Sequence, residues 1–212
     1  MINYVRDSLV LDLQAVRANG KSYLTNSSPD TNYWYNLAEC DPLRLTLNNF
    51  LFSENCGWIG DGTISNPYGL AFNLMPSNAY LSGSLRGSGN ASYMAPLLKP
   101  TNNAFSVEVW LKVDPSCPDN AGIVAMHGYT GTSPRGWHLR VSNGKALFYR
   151  YVSADQTLSS NTGINDNTIK HIVAVYNDSG NALLYVNGQL DNYATGWNTG
   201  NITYTNSYPL YI

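Results

Sequence analysis

The stretch Phe105-Ser106-Val107-Glu108-Val109-Trp110-Leu111-Lys112-Val113 alternates without a break. Phe105, Val107, Val109, Leu111 and Val113 fall on one side, and Ser106, Glu108, Trp110 and Lys112 on the other. A period of two belongs to an extended strand with one buried face, because successive side chains point to opposite sides of the pleat. Working outward, the same texture recurs. Gly122–Met126 is a short apolar run. Trp137–Val141 and Ala146–Tyr151 flank Asn143-Gly144, and Asn-Gly between alternating runs is the strongest short-range sign of a tight hairpin. Ile169–Tyr176 leads through Asn177-Asp178-Ser179-Gly180 to Ala182–Val186, and Asn187-Gly188 then turns the chain into Gln189-Leu190-Asp191. Upstream the pattern is looser, with strand-like runs at Ser8–Val16, Arg44–Leu51, Leu70–Leu74 and Tyr80–Ser82. Turn clusters at 26–30 and 60–62 interrupt them, and a Gly/Ser-rich loop runs from Ser82 to Asn90. No helical period occurs, so the pattern predicts an all-β fold, a two-sheet antiparallel sandwich or jelly roll, as one domain over 1–212.

Composition supports this and excludes several functions. Of 212 residues, 12% are charged and 43% hydrophobic, with a net charge of -2. That balance excludes the basic surface of a nucleic-acid binder and the acidic composition of a disordered tail. No apolar run approaches the ~20 residues of a membrane helix. In place of charge stand 26 Asn, 20 Ser, 14 Thr and 16 Tyr, against only three Glu. Asn and Ser favour turns, and Thr and Tyr suit a pleated surface. Four Asn-x-Ser/Thr triplets, at Asn26, Asn90, Asn177 and Asn201, match the number chance gives at this composition and carry no information on glycosylation. Three cysteines, Cys40, Cys56 and Cys117, cannot pair completely. Cys40–Cys56 is one pairing; buried free thiols are the favoured reading. The N-terminal Met1–Asp7 lacks the basic and apolar regions of a signal peptide.

Three stretches together resemble the laminin-G-like, concanavalin A-like lectin/glucanase jelly-roll family. They are Phe105–Lys112, Lys170–Tyr176, and the hairpin Ala182–Leu190 with its Tyr185-Val186-Asn187-Gly188 core. The resemblance implies a two-sheet sandwich whose opening strand is Leu9–Val16. Family members continue beyond a strand like Tyr208–Ile212 into a closing strand. Its absence here is read as a fragment of a longer protein, or as an edge covered by another chain.

Some members of this fold cleave glycosides, which needs two carboxylates flanking the bond. Glu108 is alone on its strand, and no other strand carries paired acids, so the sequence predicts no enzyme. Nucleophile-elbow and phosphate-loop motifs are also missing. No cofactor is required; a structural calcium ion, as the resemblance allows, would draw on Asp61, Asp155 or Asp166, each of which also reads as a turn-forming residue. The candidate ligand residues are Glu108, Trp110, His138, Arg140, Arg150, Tyr129 and Trp197. The expected geometry pairs the Phe105 strand with the Trp137 strand. Glu108, Trp110, His138 and Arg140 then share one outer face, with Phe148 and Arg150 across the hairpin. Aromatic faces with polar neighbours suit half-wet sugar sites. Against each stands a structural alternative: Trp110 packed under a loop, Arg140 and Glu108 as a surface ion pair, His171 as a support for the fold, Tyr176 and Tyr185 in the core, and Tyr129, Tyr193 and Trp197 buried.

Together these readings predict a non-catalytic glycan-binding or adhesion domain. Low charge, Asn/Thr/Tyr/Gly richness and no export signal suggest the surface of a bacteriophage virion, with other virion chains as partners. The alternative is a purely structural assembly module.

Overall fold

The computed structural model describes residues 9, 11–17, 19–38, 44–72, 78–84, 100, 104–130, 133–204 and 210–212, with backbone only at Ser84, Tyr129, Thr130, Ser133 and Pro134. Among them strands and turns make up the chain, and no helix occurs. The chain divides into two compact units, Met1–Leu98 with Tyr211, and Lys99–Leu210 with Ile212.

In the first unit β1 (Tyr33–Tyr35) and β2 (Arg44–Asn48) run antiparallel, β3 (Gly57–Ile59) pairs with β4 (Gly69–Ala71), and β5 (Tyr80–Ser84) lies on the other side of β2. The alternation of Arg44-Leu45-Thr46-Leu47-Asn48 buries Leu45 and Leu47. The expected opening strand, Ser8–Val16, is not a ladder among the described residues. Leu13 and Val16 make only isolated bridges, to Asn36 and Tyr23, and Ser8 and Val10 lie outside the described set. The run Leu70–Leu74 shortens to β4, with Asn73 and Leu74 outside the described residues. Of Tyr208–Ile212, Tyr208 and Pro209 lie outside the described residues; Tyr211 bridges to Ser82. Cys56 is buried, Cys117 is a free thiol that donates to the Pro118 carbonyl at 3.7 Å, and Cys40 lies outside the described residues.

The second unit is a sandwich of two four-stranded antiparallel sheets. Its strands are β6 (Phe105–Lys112), β7 (Gly122–Thr130), β8 (Ser133–Ser142), β9 (Lys145–Tyr151), β10 (Asp155–Gly163), β11 (Ile169–Tyr176), β12 (Ala182–Val186) and β13 (Gln189–Ala194). One sheet has the order β13-β12-β11-β6 and the other β10-β9-β8-β7. Aromatic residues lock the sheets face to face: the Phe105 ring lies 5.6 Å from Trp137, 5.7 Å from Phe148 and 6.2 Å from Tyr176. Ile172, Ala174, Ala182 and Leu184 complete the inner side of the first sheet at 0% exposure, opposite Leu139 and Ala146 of the second. Such a core, each large side chain contributing about 1.5–3 kcal/mol of burial, accounts for the fold without charge. Both Asn-Gly pairs turn as their sequence predicts, with φ of 51° and 70° at Asn143 and Gly144, and 52° and 78° at Asn187 and Gly188.

Candidate functional site

The site is built by register. β6 pairs with β11, setting His171 directly opposite Trp110 and Val173 opposite Glu108. Because period-two alternation sends the neighbours of these residues into the core, all four side chains emerge on the outer face of the β13-β12-β11-β6 sheet. Trp110 is 65% exposed, so no loop among the described residues covers it. Its indole stacks on the His171 imidazole at 4.4 Å and 21°, which fixes one face and leaves the other to solvent. His171 Nε2 donates to Glu108 Oε1 at 2.8 Å; the carboxylate can only accept, which assigns the proton to Nε2. The backbone of His171 is held as well. Its N–H donates to Asn187 Oδ1 at 3.0 Å, and its carbonyl accepts from Asn187 N at 2.8 Å. The Asn187-Gly188 turn therefore anchors the ring that carries the tryptophan. Across β12 and β13 the same face continues with Tyr185 opposite Leu190 and Leu183 opposite Tyr193. Leu190 and Tyr193 are exposed. The result is a rigid, shallow platform: one free aromatic face, one carboxylate whose second oxygen is open to a donor, and an apolar border.

The remaining expected site residues do not join it. β8 pairs with β7 and β9 and not with β6, so His138 and Arg140 belong to the outer face of the opposite sheet. The expected Glu108–Arg140 ion pair is thereby overturned, since the core separates them. His138 is only 4% exposed and stacks on Tyr149 at 4.5 Å and 7°. Burial, then the positive charges of His127 and Arg140, push its pKa down to about 3. Arg150 and Phe148 are corrections too. They pair with Trp137 and Leu139, whose side chains point inward, so both face the core. Arg150 is fully buried. Its Nη2 donates to the Asn198 carbonyl at 2.7 Å and the Gly200 carbonyl at 3.2 Å, and its guanidinium lies 3.7 Å over the Tyr176 ring. It pins the 198–200 segment against the sandwich. Trp197 is 9% exposed, stacked near Phe148 and Tyr176, and belongs to the same packing. The Tyr129 side chain lies outside the described residues.

The two residues that complete the platform, His171 and Tyr185, read in the sequence as support and core. Only the β6–β11 register, set by contacts distant in sequence, brings His171 onto Trp110. The three aspartates weighed for calcium are separate and locally engaged. Asp61 accepts from Thr63 N at 3.0 Å, Asp155 from the Tyr149 hydroxyl at 2.9 Å, and Asp166 from Thr168 and from Lys170 Nζ at 2.7 Å. The Lys170 hydrogen bond, followed by those of Thr168, holds the Asp166 carboxyl down at about 2. Among the described residues no group of three metal-ligating side chains comes together.

Two stacked four-stranded antiparallel sheets define a jelly-roll-type β-sandwich. The chain belongs to the family described as the Concanavalin A-like lectin/glucanases superfamily, whose profile matches residues 86–212. No curated protein matches it in sequence. Among solved structures, it is similar to the binding domain of botulinum neurotoxin serotype D/C, at 11% identity and a TM-score of 0.61, covering 98% of this chain and 43% of that one. It is also similar to botulinum neurotoxin type C, whose cell entry is described as dependent upon interaction with two ganglioside molecules, at 13% identity and a TM-score of 0.59, covering 98% and 42%. A third likeness is to the binding domain of Paraclostridial Mosquitocidal Protein 1, at 12% identity and a TM-score of 0.50, covering 98% and 48%. The chain thus spans less than half the length of these structures, and the likeness is one of fold.

Proposed function

We propose that the chain is a non-catalytic glycan-recognition domain whose platform is Trp110, His171 and Glu108. The observation that carries this is the 65% exposed indole held flat by a stacked imidazole, beside a carboxylate open to hydroxyl donors. A pyranose laid on the free face covers part of the ~150–250 Å² an aromatic side chain can bury, which at ~25 cal/mol/Å² supplies on the order of 2 kcal/mol. Hydrogen bonds to Glu108 and His171 add a similar amount, placing a single site near the millimolar range. Many copies acting together would raise this by avidity. The association of the type C toxin with gangliosides supports a glycan for a protein of this fold. The described residues of the platform face hold one acid, Glu108, hydrogen-bonded to a histidine, which supports binding without turnover. The setting on a phage virion rests on composition, namely low charge and abundant Asn, Thr and Tyr.

A second reading, an assembly surface for neighbouring chains, is favoured by the exposed Leu190, Tyr193 and Ile169 on the same face. A glycan array combined with sizing separates the two. Retention of sugars by a monomer supports recognition; no retained sugar and a stable oligomer supports assembly. Turnover of a polysaccharide, lost in Glu108→Gln, would overturn the non-catalytic reading.

A further inference from the structure

The outer face of the β13-β12-β11-β6 sheet carries more than the Trp110 site uses. Strand register lays that face out in rows. Trp110 faces His171 across β6 and β11. One row along, Val173, Tyr185 and Leu190 follow one another on β11, β12 and β13, and in the next row Leu183 meets Tyr193. Neighbouring strands lie ~4.8 Å apart, and same-face residues on one strand ~6.7 Å apart, which puts Tyr185 roughly 12 Å from Trp110 and Tyr193 roughly 8 Å further on. The three rings run close to one diagonal, ~20 Å from end to end. Trp110 is 65% exposed, Tyr193 63% and Leu190 51%, and Val173, Leu183 and Tyr185 between them are half-buried. An aromatic diagonal on an apolar floor is therefore open to solvent.

We propose, building on the Trp110 reading, that these rings form one track for an extended, uncharged β-1,4-linked glycan chain, with Tyr185 and Tyr193 as its further subsites. Charge and area select this occupant. Among the described residues the diagonal holds no carboxylate, lysine or arginine, and the β6 edge beside it carries one charge of each sign, Glu108 and Lys112. A charged polymer meets no complementary row there. The face from the Lys112–Ile169 row to the Tyr193 row measures about 14 by 20 Å, or roughly 300 Å². Each partner in a stable protein–protein interface gives up about 800 Å², so a second copy of the chain is poorly served. A sugar chain needs less, because each aromatic face takes the C–H surface of one pyranose. With bonds of about 1.5 Å, a pyranose and its linking oxygen advance roughly 5 Å, so the diagonal takes about four or five units. Its mean ring spacing of about 10 Å equals two units, the interval at which a β-1,4 chain presents the same ring face again. A coiled α-1,4 chain curves off an open sheet and reaches Trp110 alone.

The test is isothermal titration calorimetry of the full chain with cello- and chito-oligosaccharides from disaccharide to hexasaccharide. Maltohexaose is the coiled control and a β-1,4 mannuronate hexasaccharide the charged one, with sizing of the free protein alongside. In at least one neutral β-1,4 series, affinity climbs about tenfold from disaccharide to pentasaccharide and then levels off. Tyr193→Ala cuts that gain about fivefold, and Tyr193→Phe keeps it, because the ring face and not the hydroxyl makes the contact. Trp110→Ala weakens binding at every length. Failure of both neutral series to bind, an undiminished gain in Tyr193→Ala, equal affinity for maltohexaose, or tighter binding of the mannuronate would each overturn the track. So would concentration-dependent dimers that Tyr193→Ala disrupts, which would assign the face to a second copy. An affinity independent of length but lost in Trp110→Ala defeats the track and leaves the platform standing, whereas binding that Trp110→Ala leaves intact defeats both.

Discussion

His138 makes this fold sensitive to mild acid. It lies on β8 at 4% exposure, stacked on Tyr149 and 4.9 Å from the His127 ring, with neither ring nitrogen hydrogen-bonded among the described residues. Burial foremost, then His127 and Arg140, lowers its pKa from the usual 6.5 to about 3. In the unfolded chain the imidazole takes up its proton near the ordinary value. Between about pH 3 and 6.5 the unfolded chain therefore binds one more proton than the folded chain, and stability falls as pH falls, by up to ~1.4 kcal/mol per pH unit. The contribution is fully present above pH 6.5 and is lost progressively toward pH 3. Integrated from pH 7 to pH 5 it comes to about 2 kcal/mol for this one group. His138→Phe keeps a ring against Tyr149 and removes the titration. His127 shifts in the same direction, chiefly through burial, and remains in both proteins, so its share cancels in the comparison. Urea denaturation at pH 7, 6 and 5 should show wild type losing about 2 kcal/mol more than His138→Phe over that span. Parallel pH dependences in the two proteins would refute the reasoning, because His138 would then be protonated in the folded state as readily as in the unfolded.

Other substitutions test other joints. Arg150→Ala removes two hydrogen bonds from a charged donor and opens a cavity, and should destabilise the protein by about 3 kcal/mol in urea titration, with new proteolytic cleavage near 198–200. Arg150→Met should cost less, because the desolvated charge goes with the bonds. Gly144→Ala forces a side chain into φ of 70° with its Cβ 2.6 Å from Asn165 Oδ1, and should lower stability by about 1–2 kcal/mol in the same assay. Asn26→Ala strands the Trp58 N–H, costs about 1–2 kcal/mol, and should broaden the Trp58 indole signal in NMR.

The second unit was legible in the sequence because strict alternation and Asn-Gly turns are local signals. Phe105–Lys112 reads as a strand, and both Asn-Gly hairpins form where expected. β10 was not legible. In Asp155–Gly163 Leu158 is the single large apolar residue, and the segment pairs through backbone bonds while Asp191 on β13 accepts from Asn161 and Thr162. β1 and β3 are three residues each, too short for any period to show. The site was half legible. Alternation placed Glu108 and Trp110 outward, but facing residues are set by which strands pair. The expected neighbour of β6 was β8, whereas it is β11. That single change of partner exchanges His138 and Arg140 for His171 and moves Arg150 from a ligand face to the core. A charged side chain in a strand pattern reads as exposed; carbonyls at Asn198 and Gly200, some fifty residues on, are what admit Arg150 to the interior.

The platform is tested most directly by isothermal titration calorimetry of wild type and Trp110→Ala with a glycan recovered from the array, at matched stability and 25 °C. Loss of the stacking face should weaken binding by at least about tenfold while the fold and its unfolding midpoint stay unchanged, since a side chain this exposed contributes little to the core. Equal affinity in the two proteins would contradict the assignment and move recognition elsewhere on the chain.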